Sequence, residues 1–158
     1  MICKDVAELK SIVEDSRSRG KTIVFTNGCF DILHVGHVRY LKEAKALGDI
    51  LIVGLNSDRS VKKIKGDKRP FLHEDERAEL VDALQSVDYV ILFSESTPEK
   101  LMSILKPDIH VKGGDYVAED LPEYEVMKQL GGRTVVVCNI EGKSTTAFIK
   151  KILEMERK

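Results

Sequence analysis

Apolar residues recur along this chain in two rhythms. Five short runs, at residues 22–26, 50–55, 89–93, 109–111 and 135–138, are almost continuously apolar and rich in β-branched side chains. They do not alternate with polar residues, so they predict strands buried on both faces, as in a parallel sheet. Between them, apolar residues return every three or four positions. The sets are Val6, Leu9, Val13; Val38, Leu41, Ala44; Leu80, Val81, Leu84; Leu101, Met102, Leu105; Leu121, Tyr124, Met127, Leu130; and Phe148, Ile149, Ile152, Leu153. Each set predicts a helix with one stripe that packs on the sheet. Strand then helix, repeated along the chain, predicts a doubly wound α/β domain of about five parallel strands with flanking helices. No repeat, low-complexity tract or linker interrupts the pattern. One domain over residues 1–158 is therefore expected, with an opening helix at 4–19 and a core at 20–153.

Composition narrows the class. A chain of 158 residues, 42% hydrophobic and 32% charged, can bury a core and has the balance of a globular protein. Its net charge of −1 gives no global field for nucleic acid or an anionic membrane, so anion binding must come from local placement. No apolar run approaches bilayer length, and the charged start, Met1 to Lys10, has no signal core. Cys3, Cys29 and Cys138 are odd in number and far apart, which suits a reducing compartment. A cytoplasmic location is expected, with neither membrane nor nucleic acid as partner.

In a doubly wound sheet, ligands bind outside the carboxyl ends of the strands. The four segments that follow strand ends, 27–37, 56–69, 112–116 and 139–146, are also the richest in Gly, His, Lys and Ser/Thr. After the first strand, Gly28 and Gly36 remove side chains where backbone and phosphate approach closely. A helix starting near Gly36 aims its unpaired N–H groups and positive dipole end at the same place. His34 and His37, three apart, are neighbours on a helical turn and can present two donors to a phosphate. Three other readings compete: a structural role for either histidine, zinc on Cys29, His34 and His37, and a dinucleotide site. Zinc lacks a fourth ligand, and the dinucleotide site lacks its Gly-x-Gly-x-x-Gly.

The later strand ends are read in that light. Arg59, Lys62, Lys63, Lys65, Lys68 and Arg69 form either a solvated basic loop or, beside a phosphate site, a mobile lid that neutralises leaving pyrophosphate. Lys63 and Lys65 are equal candidates for its active cation. Gly142 to Ser144 looks like the end of a P-loop, but Val137 stands where that motif requires glycine. Ser144 reads more simply as a helix N-cap, which is compatible with phosphate binding. Gly113 and Gly114 make a turn or a close backbone approach, and Asp115 is a candidate acceptor for substrate hydroxyls.

The pattern Gly28-x-Phe30-Asp31-x-x-His34-x-Gly36-His37 resembles the signature of the cytidylyltransferase-like nucleotidyltransferases, whose fold is Rossmann-like. The resemblance extends through Thr26–His34, Asn56-Ser57-Asp58, Lys65-Gly66, Arg69-Pro70, Val111–Tyr116 and Glu141-Gly142-x-Ser144-Thr145-Thr146. These segments are similar to the heptose 1-phosphate adenylyltransferases over nearly the whole chain. The resemblance implies transfer of AMP from ATP to D-glycero-D-manno-heptose 1-phosphate, giving ADP-heptose and pyrophosphate. Magnesium accompanies the ATP with no direct protein metal site, and the enzyme is a homodimer. It implies catalytic roles for His34, His37 and Lys63 or Lys65. It assigns nucleotide binding to Thr26, Asn27, Gly28, Cys29, Phe30, Gly36, Gly113, Ser144 and Thr145. Substrate or metal orientation falls to Asp31, Lys112 and Asp115. Asn139 departs from the arginine that glycerol-3-phosphate cytidylyltransferases carry, and Lys143 stands where the heptose enzymes often have a small or apolar residue. Cytidylyl transfer to glycerol 3-phosphate, adenylyl transfer to flavin mononucleotide and a nucleotide-sensing module remain the alternatives.

Overall fold

The computed structural model describes residues 1–137 and 145–156, with backbone alone at 145, 147, 148 and 156. Five parallel strands form one sheet: β1 (Ile23–Gly28), β2 (Ile50–Asn56), β3 (Tyr89–Phe93), β4 (Ile109–Gly113) and β5 (Arg133–Val137), in the order β3-β2-β1-β4-β5. The doubly wound α/β architecture read from the periodicity is the one observed. Helices α1 (Val6–Ser18), α2 (Val35–Lys45), α3 (Asp58–Lys65), α4 (Glu74–Asp82), α5 (Glu99–Leu105), α6 (Pro122–Gln129) and α7 (Thr145–Glu156) connect and follow the strands. Residues 1–3 extend the β3 edge through Cys3 N–H to the Val90 carbonyl and Val90 N–H to the Met1 carbonyl. That covers donors and acceptors an open edge would expose.

The continuous apolar runs are explained by a core on each face. On one face, Leu41 and Ala44 of α2 and Ala78 and Val81 of α4 meet Val24, Leu51, Val53, Leu55 and Val111. On the other, Leu9, Val13, Leu101, Met102, Leu105 and Met127 meet Ile23, Phe25, Ile52 and Ile91. Burying a side chain of this size contributes about 1.5–3 kcal/mol, so strands sandwiched in this way hold the C-terminal ends of β1 and β4 in fixed register.

Three expectations are corrected. Residues 56–69, read as a lid loop, contain α3: Ser57 caps it by accepting from the Ser60 N–H, and Gly66, at φ 92°, closes it. Only Val61 of that helix is a buried hydrophobe, so no apolar stripe announced it. Leu80, expected to pack inward, is exposed, because the inward stripe of α4 is Arg77, Ala78 and Val81. Ile152 and Leu153 of the closing helix are also exposed, while Ile149 is half-buried.

The candidate active site

The sheet order turns back on itself at β1, which is flanked by β2 on one side and β4 on the other. That switch point opens a crevice at the carboxyl ends of the strands. Leaving β1, the chain makes a tight reversal. A side chain on Gly28 would stand 2.9 Å from the Phe30 ring. Phe30 itself adopts φ 45°, a left-handed conformation that a non-glycine residue holds only under constraint. Its buried ring lies 5.2 Å from the His37 ring.

His34 is the N-cap of α2, and its Nδ1 accepts the Gly36 N–H at 3.1 Å. His37, one turn on, reaches back so that its Nδ1 accepts the His34 N–H at 3.4 Å. The two rings stack at 3.9 Å with 26° between planes. With each Nδ1 occupied as an acceptor, a neutral imidazole carries its proton on Nε2. Burial, the neighbouring His34 and the Lys65 charge push the His37 ring down to about 4, so it is neutral near pH 7. The corner can therefore present stacked Nε2–H donors beside a helix N-terminus, an arrangement suited to phosphate oxygens.

The β2 flank adds positive charge. Lys65 ends α3, and its charge is among those that act on both His37 and Cys29. Of the two candidate lysines, Lys65 is therefore the one whose charge is felt at the histidine corner. Burial still raises the Cys29 thiol, whose Sγ faces Asn56 Oδ1 at 3.9 Å. Among the described residues no three His, Cys, Asp or Glu side chains gather as a metal-holding group, and backbone N–H groups occupy the Nδ1 atoms of both His34 and His37.

Asp31 is almost fully buried, and its carboxylate is spent away from the histidines. It accepts from Arg69 Nη1 at 2.7 Å and from the N–H groups of Phe71 at 2.7 Å and Leu72 at 3.2 Å. It orients the segment after α3 instead of a histidine. Arg69 in turn lies 4.3 Å from the Phe71 ring centroid and lines a groove of about 460 Å³ with Thr146 and Ile149 of α7. Thr26 is wholly buried with its hydroxyl against Tyr40, whose own hydroxyl donates to the Val111 carbonyl, so its side chain belongs to the inner sheet face. Asn27 and Gly113 stand half-buried at the strand ends, and Asp115 is exposed in the turn beyond. Ser144 and the side chain of Thr145 lie outside the described residues.

Sequence reasoning missed two residues. Arg77 has no exposed surface, yet its guanidinium donates to the carbonyls of Leu72 (3.0 Å), Cys29 (2.6 Å) and Asn56 (2.8 Å) and to Asp58 Oδ1 (2.7 Å). One side chain thus ties the loop after β1 to the end of β2 and the start of α3. The signal was present, since an arginine shares the inward spacing of Ala78 and Val81. The second is Glu123, in the first turn of α6, which pairs with Lys112 at 3.1 Å. Burial pushes the Glu123 carboxyl up, but the Lys112 charge and hydrogen bonds hold it below the usual value. An acid in a first helical turn looks like dipole compensation, so nothing local marked it.

The model of a family described as cytidylyltransferase-like matches residues 25–157. The bifunctional protein HldE of Geobacter metallireducens is 52% identical over 150 residues, which is 95% of this chain and 31% of that protein. The bifunctional protein HldE of Pelobacter propionicus is 51% identical over 146 residues, 92% of this chain and 30% of that one. The chain thus spans about a third of the length of the curated relatives it matches. A lipopolysaccharide core biosynthesis protein from Thermoplasma volcanium superposes with a TM-score of 0.62 at 35% identity, covering 77% of this chain and 98% of that one. A pantoate-beta-alanine ligase from Francisella tularensis superposes at 0.60 over 100% of this chain and 79% of its own, but at 16% identity it speaks for the fold alone.

Proposed function

The chain belongs to the cytidylyltransferase-like nucleotidyltransferase family, and we propose that it transfers AMP from ATP to D-glycero-D-manno-heptose 1-phosphate, releasing pyrophosphate and forming ADP-heptose. The observation that carries the proposal is the stacked His34–His37 pair at the start of α2, each ring turned so that its neutral form donates from Nε2. The names of the relatives support the acceptor class: HldE proteins described as bifunctional and a lipopolysaccharide core biosynthesis protein.

In this reading a phosphate oxygen of the sugar phosphate attacks the α-phosphorus of ATP. A new P–O bond forms, the bond to the β-phosphate bridge breaks, and pyrophosphate leaves with the electron pair. The histidine Nε2–H groups hold oxygens that gain charge as phosphorus becomes five-coordinate, and Lys65 offsets charge on the leaving group. Gly28 and Gly36 let backbone approach the nucleotide, with Cys29, Phe30 and Asn27 framing it. Gly113, Ser144, Thr145 and Asp115 are assigned to the nucleotide and the substrate hydroxyls on the strength of the family resemblance. Magnesium is expected to arrive with the triphosphate. Asp31, the carboxylate nearest the histidines in sequence, is committed to Arg69 and two backbone N–H groups, so the ion's ligands would be phosphate oxygens. The mature protein is proposed to be a cytoplasmic homodimer; among the described residues no helix is long and apolar enough to cross a membrane.

A pyrophosphate-release assay tests this directly. ATP with heptose 1-phosphate should give ADP-heptose by mass spectrometry. CTP with glycerol 3-phosphate, or ATP with flavin mononucleotide, should give little. Turnover confined to either of those pairs would replace the substrate assignment, and ATP binding with no release for any acceptor would make the protein a sensor.

A further inference from the structure

On the face of the sheet covered by α6, the ends of β1 and β4 carry Asn27, His110 and Lys112, and α6 brings Glu123 against them. Glu123 is 4% exposed. Its Oε1 lies 3.1 Å from Lys112 Nζ, whereas its Oε2 is buried with no hydrogen-bond partner among the described residues. His110, two residues before Lys112 on the same strand face, is fully buried; its Nε2 lies 3.3 Å from Asn27 Oδ1, and its Nδ1 is likewise unpartnered. A purely structural contact in this place would be served as well by apolar side chains, because buried charge must offset its desolvation. A cluster holding one ion pair and two unpartnered polar atoms calls for another explanation.

Charge balance supplies it. On the β2 flank, the Lys65 charge reaches His37, as a phosphate site requires. On the β4 flank, the Lys112 charge is answered in contact by Glu123, so the pair offers hydrogen-bonding groups with little net charge. That suits a neutral group bearing hydroxyls and disfavours a phosphate. Lys112 is the more exposed member, at 24% against 5%, and an ammonium that donates to one carboxylate oxygen keeps two further N–H donors.

We propose that Glu123 is a positioning residue that holds Lys112 at the β1–β4 crevice as a donor to a hydroxyl of the bound substrate, either the ribose of the nucleotide or the ring of the sugar phosphate. The inference rests on reading the corner as a nucleotidyl-transfer site. Glu123 acts through Lys112: without it the ammonium loses its fixed direction and its charge is no longer balanced.

The test compares wild type, Glu123→Gln, Lys112→Met and the double variant. Calorimetry measures binding of ATP, 2′-deoxyATP and 3′-deoxyATP, and steady-state kinetics measures KM for ATP and heptose 1-phosphate. Each single variant should weaken one substrate on the order of tenfold, the loss of one charged hydrogen bond, with kcat within about twofold. The double variant should be no worse than Lys112→Met. If ribose is the partner, wild type disfavours one deoxynucleotide and the variants lose that preference. If the sugar is the partner, nucleotide binding holds and the sugar-phosphate KM rises. Folded variants that leave both substrates within about twofold overturn the proposal, as does a double variant whose loss is the sum of the singles. If Glu123→Gln does not fold, Glu123→Asp replaces it, and unchanged binding in that variant and in Lys112→Met overturns the proposal equally. A wild type that binds ATP but releases no pyrophosphate defeats the transfer reading alone; calorimetric affinities for all three nucleotides and for heptose 1-phosphate that are unchanged in both single variants then overturn this one.

Discussion

The two flanks of β1 are built alike and equipped differently. On the β2 side, α3 delivers Lys65 toward the histidines, while Asp31 and Arg77 spend themselves on backbone and on each other's neighbours. On the β4 side, the lysine at the strand end is held by a buried glutamate. The same strand-to-helix geometry therefore yields, among the described residues, a cation without a carboxylate in contact on one flank and a near-neutral pair on the other. The difference teaches that charge in this fold is sorted by which side chains are answered, not by how many lysines a loop contains. The basic segment at 56–69 holds six cations, yet Arg69 is anchored to Asp31, and Lys65 is the one whose charge is felt at His37.

Breaking the β2 flank at its root should have the largest effect. Arg77→Ala leaves three carbonyls and Asp58 without their donor in a buried setting, and should cost about 3–5 kcal/mol of stability. At roughly 2–4 °C per kcal/mol for a domain of this size, the melting temperature should fall by on the order of 10 °C. A fall of only a degree or two would mean that the loops hold their places without the guanidinium.

Next comes the corner itself. His37→Ala should lower turnover by about 100- to 1,000-fold while circular dichroism and melting remain those of a folded protein. Near-normal pyrophosphate release in that variant would take the stacked pair out of the mechanism and with it the contrast between flanks. A smaller effect separates the lysines. Lys65→Ala should slow turnover on the order of tenfold or more, and Lys63→Ala should leave it within about twofold. The reverse ranking would show that α3 turns on substrate binding.

Acid should expose the histidines most gently. The His37 ring is lowered from 6.5 to about 4, chiefly by burial, so the unfolded chain binds its proton more readily than the native one. Its contribution to stability is full above about pH 6.5 and is lost as pH falls toward about 4. Thermal unfolding followed across that window should show a loss on the order of 1 kcal/mol attributable to this ring, with a shallower slope in His37→Asn. His110, lowered to about 4 by burial despite Glu123, adds a slope of the same sign from the other flank. Equal slopes in wild type and variant would place the acid sensitivity elsewhere.

Much of the fold was legible because burial imposes local rhythm. Val24, Leu51, Val53, Val90 and Val111 are all buried strand residues, and each lies in one of the continuous runs. The corner was legible as well, since Gly28, His34, Gly36 and His37 are close in sequence and one helix start brings them together. The α3 helix was not, because it is short, capped by Ser57 and anchored by Ser60 and Val61 in place of a repeating stripe. The orientation of Asp31 was not, because its partner, Arg69, is 38 residues away in sequence.

From the sequence alone came the alternation of strand and helix, the sandwiching of the sheet and the placing of imidazoles at a helix start; each depends on neighbours within a turn or two, which spacing reports. Only the tertiary structure decided that the Lys65 charge is felt at His37, what Asp31 holds, and that Arg77 and Glu123 matter at all. Those outcomes depend on pairings between distant segments, and a buried charge takes its meaning from the group that answers it.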